Sequence, residues 1–309
     1  IMKERRLGKT GLRISEIGFG CWPIGGGSYG PVRDEASREA LETAWESGVN
    51  FFDTADVYGE GHAEALLGAF LKEKSRHQAV IATKAGWDFY HGARKKDFSP
   101  AYLRTACEKS LKRLGVDTID LFQLHNPSLE TIQRKDAVAT LELLKKEGKI
   151  RFIGISVHTE NEAFMVLQDS RVHAIQVIFN LLDQRMAERV FPEAEKKNVG
   201  VIVREPLASG LLSGNYLPSH EFPKDDHRRR WLPAKREIDW QKIQCLQRAL
   251  KNKKVPLPQA ALEFTLAFDA VSTAIPGAKT RTQVLENVEA SSQPVLSRED
   301  SEALAGLYV

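Results

Sequence analysis

The chain is short of cysteine, of long apolar runs and of excess charge, and each shortage removes a class of protein. Its three cysteines, Cys21, Cys107 and Cys245, are odd in number and far apart, with no C-x-x-C. A disulfide framework is not expected, and a reducing cytoplasm suits the sequence best. No apolar run approaches the roughly 20 residues of a membrane span, so no membrane partner is expected. Net charge is only +3 at pH 7, too little to argue for nucleic acid or an anionic surface. Eight histidines include no H-E-x-x-H, and no metal is expected. The start, Ile1-Met2-Lys3-Glu4-Arg5-Arg6, has no apolar segment behind its charges and does not read as a secretory signal.

What is present is alternation. The 309 residues are 42% hydrophobic and 28% charged, an ordinary globular balance. A small hairpin is expected around Gly8-Lys9-Thr10-Gly11. Short apolar strands then alternate with amphipathic helical patterns. The strands are expected at 16–22, 49–53, 79–84, 118–125, 150–157, 174–180, 201–204 and 271–276. The first helix has Asp34 as its cap and stops at Gly48. The helix after strand three has a Ser99 cap followed by Pro100, and ends at Gly115. One helix after strand four runs to Gly148. Residues 207–235 form an irregular segment, and helical patterns resume at 238–250 and 258–268. A last helix carries Val284, Leu285 and Val288, and a tail helix starts at Arg298. Near-continuous apolar strands imply a parallel sheet covered on both faces. Eight such units predict an α/β fold: a single (β/α)8 barrel domain over 1–309, with an N-terminal β-hairpin and a long loop after strand seven.

The second strand ends in an acid, Asp53, and Tyr58 follows in the loop. A carboxylate at the tip of a buried strand is costly unless paired. A phenol, with an unperturbed pKa of about 10, is a reluctant proton donor at pH 7. A lysine at the same place would pair the acid and favour the ionised phenol. In a barrel of this kind the working groups lie at the C-terminal strand ends. Asp53, Lys84, His125, Ser156, His158, Asn180 and Arg204 all fall there. Singly, Asp53 reads equally as a cap or loop acid, Tyr58 as loop packing, Lys84 as a surface lysine and His125 as a structural histidine. Their coincidence on strands two, three and four argues against all of those at once.

These residues resemble a family. The runs Phe52-Asp53-Thr54-Ala55-Asp56-Val57-Tyr58-Gly59, Ile81-Ala82-Thr83-Lys84 and Asp120-Leu121-Phe122-Gln123-Leu124-His125 resemble the aldo-keto reductases. So do Gly154-Ile155-Ser156, the segment 206–214, and Ile275-Pro276-Gly277-Ala278-Lys279 leading to Glu286-Asn287. The likeness covers about residues 6–287 and is greatest to the bacterial, potassium-channel-β-like branch. It implies NADP(H)-dependent reduction of a small-molecule carbonyl or sugar substrate. It further implies Tyr58 as general acid, Lys84 as the group lowering its pKa, Asp53 as the partner of Lys84, and His125 as an orienter of the carbonyl. By the same resemblance Ser156 and Gln176 hold the nicotinamide carboxamide, and Leu207, Ser209, Leu211 and Ser213 lie along the pyrophosphate. Lys279, Arg281, Gln283, Glu286 and Asn287 hold the adenosine end, with Lys279 and Arg281 at a 2′-phosphate. Trp22 and Trp87 are candidate walls of the pocket, and Trp22 and Asp53 also count among the cofactor contacts. Arg204 stands where many relatives carry an aromatic residue stacked on the nicotinamide.

Some positions depart from the family pattern. Val157 follows Ser156 where Asn is common, so one carboxamide contact is missing or comes from elsewhere. Asn215 replaces a common Lys near the phosphates; Arg228, Arg229 and Arg230 either take its place or form a solvated charge run. Gly277 replaces a Lys of many NADP-specific relatives. Gly25-Gly26-Gly27-Ser28-Tyr29-Gly30 matches G-x-G-x-x-G, but Pro31 and Asp34 separate it from the next helix, so it reads as a loop at the substrate mouth. Two other functions fit the same residues. One is an aldose 1-dehydrogenase working oxidatively, since His125-Asn126-Pro127 is shared with such members. The other is a redox-sensing regulatory subunit with incidental turnover.

Overall fold

The computed structural model describes residues 1–92 and 94–308. Eight short strands form one parallel sheet: β1 Phe19–Gly20, β2 Phe51–Asp53, β3 Val80–Ala85, β4 Ile119–His125, β5 Ile150–Ser156, β6 Ala174–Ile178, β7 Gly200–Arg204 and β8 Val271–Ala274. Each strand neighbours the next in sequence. Parallel bridges Ile17–Ala274 and Gly20–Gly277 join the first strand to the last. There Gly18 N donates to Ala274 O at 2.8 Å and Ala274 N to Glu16 O at 2.9 Å, which closes the sheet into a (β/α)8 barrel.

Strand residues alternate between barrel interior and helix layer. Inside, Phe51, Val80, Ala82, Leu121, Ala174, Ile202 and Ile275 form an apolar layer. Two residues further along the same face of five strands come Asp53, Lys84, Gln123, Gln176 and Arg204. The chain thus changes from oil to polar side chains in one step up the barrel. Below the apolar layer sits the expected hairpin, in which Glu4–Arg6 pairs antiparallel with Arg13–Ser15. Its Leu7 and Ile14 pack into the apolar layer and plug the floor. Arg5 fastens the plug by donating to the carbonyls of Leu266 (2.6 Å), Phe268 (3.2 Å) and Val271 (3.0 Å).

The outer helices are α1 Asp34–Glu46, α2 His62–Leu71, α3 Pro100–Leu114, α4 Leu129–Arg134, α5 Asp136–Lys146, α6 Glu160–Leu167, α7 Met186–Lys196, α8 Pro233–Leu250, α9 Leu257–Leu266, α10 Arg281–Ser292 and α11 Arg298–Ala305. Ser99 caps α3 as expected, accepting from Tyr102 N at 3.3 Å. Asp34 does not cap α1. It is the first helical residue, and its carboxylate meets His62 Nε2 at 2.9 Å instead. The single helix expected up to Gly148 is two, broken at Lys135, whose φ is +59°. Ser128 caps the first of them by accepting from Thr131 N, and the second starts after Lys135 without a side-chain cap. β1 and β8 are shorter than expected, because the pairing between them is confined to isolated bridges. The hairpin of Trp87–Asp88 with Lys95–Lys96, which follows β3, was not expected. The segment 207–235 contains 3-10 turns at Ala208–Ser213 and His227–Arg230, and α8 begins at Pro233 rather than Ile238. Among the described residues no helix is long and apolar enough to cross a membrane.

The seating of the hairpin is testable through two glycines of its turn. Both have positive φ, but a Cβ on Gly8 would lie 2.3 Å from Gly200 N and 2.6 Å from Asn198 O, whereas one on Gly11 would meet nothing within 4 Å. Gly11→Ala should cost about 1–2 kcal/mol, the left-handed backbone penalty alone. Gly8→Ala should cost at least about 3 kcal/mol, because backbone atoms of the barrel must also move. Urea denaturation reads both; equal losses would mean the hairpin is not seated against β7.

Candidate active site

At the C-terminal ends of the strands lies a groove of about 1900 Å³. Its floor is built around a lysine. Lys84 is fully buried on β3, and its Nζ donates to Asp53 Oδ2 at 2.6 Å and Thr54 O at 2.8 Å. It lies 3.4 Å from Tyr58 Oη. The second oxygen of Asp53 accepts from Gln176 Nε2 at 2.8 Å and Gln123 Nε2 at 3.1 Å. A buried ion pair is tolerated only when its remaining lone pairs are satisfied, and the two amides do this for Asp53. Trp22 stacks on Tyr58 with ring centroids 5.9 Å apart, and His125 meets the phenol edge-on at 5.8 Å.

Burial dominates the protonation of this cluster. It raises Tyr58 above the usual phenol value, although Lys84 and Arg204 pull the other way. The net lowering expected from Lys84 is therefore not what the site produces: the buried phenol is neutral at pH 7. Burial also pushes His125 well below the usual histidine range, helped by Lys84 and Arg204, so its ring is neutral. Burial works against charge on Lys84, but Asp53 and Tyr58 together lift it above the usual lysine value.

The other candidates divide. Trp22, Asp53, Tyr58, Trp87, His125, Gln176, Arg204, Leu207, Ser209, Ser213, Lys279, Gln283, Glu286 and Asn287 line the groove. Lys84, Ser156, Leu211 and Arg281 do not. Lys84 lies beneath the groove, within reach of Tyr58 Oη. Ser156 donates its hydroxyl to Asn126 Oδ1 at 2.9 Å. Arg281 extends across to Thr43 Oγ1 of α1 at 3.5 Å. Lys279 Nζ is bonded to Tyr29 O in the first loop. Arg204 is held by Glu205 Oε1 (3.0 Å), Val157 O (3.1 Å) and His158 Nδ1 (3.0 Å). Its charge is thus paired before any ring could lie against it. Gly277 has no room for a lysine, since a Cβ there would lie 2.5 Å from Pro23 Cγ.

Beyond β7 the backbone takes left-handed conformations at Glu205, Ala208, Ser209 and Gly210. This turns Leu207, Ser209 and Ser213 towards the groove and leaves Leu211 out. The glycine-rich first loop does not open α1. Instead it meets the long loop, where His227 donates to Ser28 O from its backbone N (3.0 Å) and from Nδ1 (2.8 Å). The His227 ring packs on Trp22 and Tyr29. The arginine run divides as well. Arg228 is buried, forks onto Asp226 (2.9 and 2.7 Å) and lies among the rings of Tyr29, Tyr216 and Phe222. It is a brace for the loop, while Arg229 and Arg230 are exposed on the groove rim. Gln123 was not expected as a site residue, and Asn126 was noted only within the His125-Asn126-Pro127 run. Gln123 was findable, since it is the polar residue two positions before His125 on the same strand face. Among the described residues no group of His, Cys, Asp or Glu could hold a metal ion.

The sequence profile described as "Aldo/keto reductase family" matches residues 16–309. The "Uncharacterized oxidoreductase YqkF" of Bacillus subtilis is 32% identical over 307 residues, covering 98% of this chain and 95% of that protein. A "D-threo-aldose 1-dehydrogenase" of a Pseudomonas species is 30% identical over 93% of this chain and 92% of its own length. Among solved structures, the holo form of "aldo-keto reductase AKR11C1 from Bacillus halodurans" superposes with a TM-score of 0.84 at 34% identity, covering 100% of this chain and 98% of that one.

The buried pair makes its own prediction. Lys84→Met alone should destabilise the fold by about 3–5 kcal/mol, because it strands the Asp53 charge. Lys84→Met combined with Asp53→Asn should cost clearly less than Lys84→Met alone. Urea denaturation of the four-member cycle measures this, and additive losses would mean the two residues are not coupled.

Proposed function

Because the chain belongs to the aldo/keto reductase family, we propose that it is an oxidoreductase using NADP(H) to reduce aldehydes or ketones to alcohols, with residues 1–309 acting as one barrel domain. The observation that carries this reading is the buried Lys84 ammonium held between Asp53 and the Tyr58 hydroxyl, beneath a groove. The groove fits a nicotinamide dinucleotide. Its volume of about 1900 Å³ exceeds the roughly 300–1,000 Å³ of ordinary ligand pockets. Its floor also carries a buried acceptor without a partner, Gln176 Oε1, suited to an amide donor.

When bound, the cofactor supplies the hydride. Tyr58, neutral at pH 7, gives its proton to the carbonyl oxygen as negative charge develops there. Lys84 stabilises the phenolate left behind, and Asp53 keeps Lys84 in place. Neutral His125 offers a hydrogen bond to the same oxygen without adding charge. Trp22 and Trp87 wall the substrate side. At the far end Lys279, just before the Thr280 cap of α10, supports a 2′-phosphate together with the helix N-terminus.

A second reading, oxidation of an aldose, is favoured by the likeness to D-threo-aldose 1-dehydrogenase and by two indole walls suited to the flat face of a sugar. The two readings need opposite forms of Tyr58. Reduction needs the phenol, which is present below its raised pKa and lost above it. Oxidation needs the phenolate. A panel of carbonyls and polyols with both cofactors, assayed in both directions, separates them.

Tyr58→Phe should keep the NADPH dissociation constant within about twofold and lose at least about a hundredfold in kcat, the scale of a lost general acid. The wild-type reductive rate should be level from pH 6 to 9 and fall only as the pH passes 10. A fall centred near neutrality would remove Tyr58 as the proton donor. The wild type should prefer NADPH to NADH, with Lys279→Ala removing most of the preference. Arg281→Ala should matter less, since its side chain faces α1. Equal KM values for NADPH and NADH in the wild type would refute the choice of cofactor.

A further inference from the structure

The groove floor holds a free donor and a free acceptor on the two strands that flank Ser156. Asn126, at the tip of β4, has a φ of +58°, a left-handed conformation that Asn tolerates better than most residues. Its backbone is tied on both sides: its N–H donates to Ser156 O at 3.0 Å, and its C=O accepts from Lys96 Nζ at 2.7 Å. Its side-chain oxygen accepts from Ser156 Oγ at 2.9 Å. That leaves Nδ2, which among the described residues has no partner, on a residue that lines the groove and is 9% exposed.

Ser156 is the register partner of His125 on one side and of Gln176 on the other, so Asn126 and Gln176 flank it. Gln176 spends its Nε2 on Asp53 and Gln123, and this orients its amide. Its Oε1 is buried and unpartnered, which is unfavourable until a donor arrives. A fixed N–H donor facing a fixed C=O acceptor across Ser156 complements a primary carboxamide. The Ser156 hydroxyl already donates its hydrogen bond to Asn126 Oδ1, and Ser156 does not reach the groove.

We propose that Asn126 is a cofactor-contacting residue: its Nδ2 donates to the carboxamide oxygen of the nicotinamide while Gln176 Oε1 accepts from the carboxamide nitrogen. Ser156 is a positioning residue that acts through Asn126. Asn126 thereby supplies the contact that Val157, buried and apolar, cannot make. The inference rests on the reading of this chain as a nicotinamide-dependent enzyme.

The test is fluorescence titration with NADPH and with 2′-phospho-ADP-ribose, which lacks the nicotinamide. Asn126→Asp keeps the shape, the left-handed tolerance and the acceptor for Ser156, but has no donor. Asn126→Gly keeps the backbone conformation and removes the amide. Both should weaken NADPH about tenfold, the effect of one lost hydrogen bond to a buried partner, and leave 2′-phospho-ADP-ribose within about twofold. Ser156→Ala should weaken NADPH in the wild-type background and cost nothing further in Asn126→Gly, since its effect passes through the amide. Unchanged NADPH affinity in both Asn126 variants, or equal weakening of both ligands, would overturn the proposal. Additive loss in Ser156→Ala with Asn126→Gly would overturn the assignment of Ser156. A wild type that binds neither NADPH nor NADH would sink the cofactor reading, and this inference with it.

Discussion

A charged lysine with no exposed surface is the constraint on which the rest of this structure depends. Lys84 can stay ionised inside the barrel only because Asp53 and the Thr54 carbonyl are fixed within hydrogen-bond reach. Asp53 in turn is held beside it because Gln123 and Gln176 donate their amides to its second oxygen. Four strands must therefore hold register to within a residue, since a slip of one would turn each side chain to the opposite face. The apolar layer beneath, from Phe51 to Ile275, and the hairpin plug below it keep water from reaching the pair from underneath. The same dryness sets the chemistry above. It leaves Tyr58 protonated and His125 neutral.

Much of this was legible in the chain. Each strand showed itself as a short apolar run, strands two to seven with a polar residue at the end, and the barrel followed from the eight runs. Asp53, Tyr58, Lys84 and His125 were legible because they sit at fixed places relative to those runs. What could not be read were properties of neighbours. The acidity of Tyr58 depends on how dry its surroundings are, and burial outweighs the lysine that was expected to dominate. Arg228 looked like part of a basic run, yet its charge is spent on Asp226 two residues earlier, inside a ring of aromatics. Asp34 had the composition of a cap, but His62, from the next helix, competes for its carboxylate. The break at Lys135 carries no glycine or proline, so no local signal marks it.

The far end of the groove is shaped by contacts between loops that are remote in sequence. Pro23 in the first loop fills the space a side chain would need at Gly277, so the absence of a lysine there is steric. Tyr29 offers its carbonyl to Lys279, and Ser28 offers its own to His227. The first loop is in this way a hub between β8 and the long loop. Its glycines Gly26, Gly27 and Gly30, all at positive φ, give the backbone freedom to turn towards these two partners.

Sealing the barrel also has a consequence for how the protein is made. The bonds that close it join Gly18 to Ala274, and Arg5 reaches the carbonyls of Leu266, Phe268 and Val271. At a synthesis rate of about 5–20 residues per second, roughly 13–50 s separate the emergence of the first strand from that of its partner. Throughout that interval β1 has an open edge on one side, and the floor plug has no rim to sit in. The nascent chain must therefore wait, with part of its polar backbone unpaired, for the ribosome to deliver the last strand.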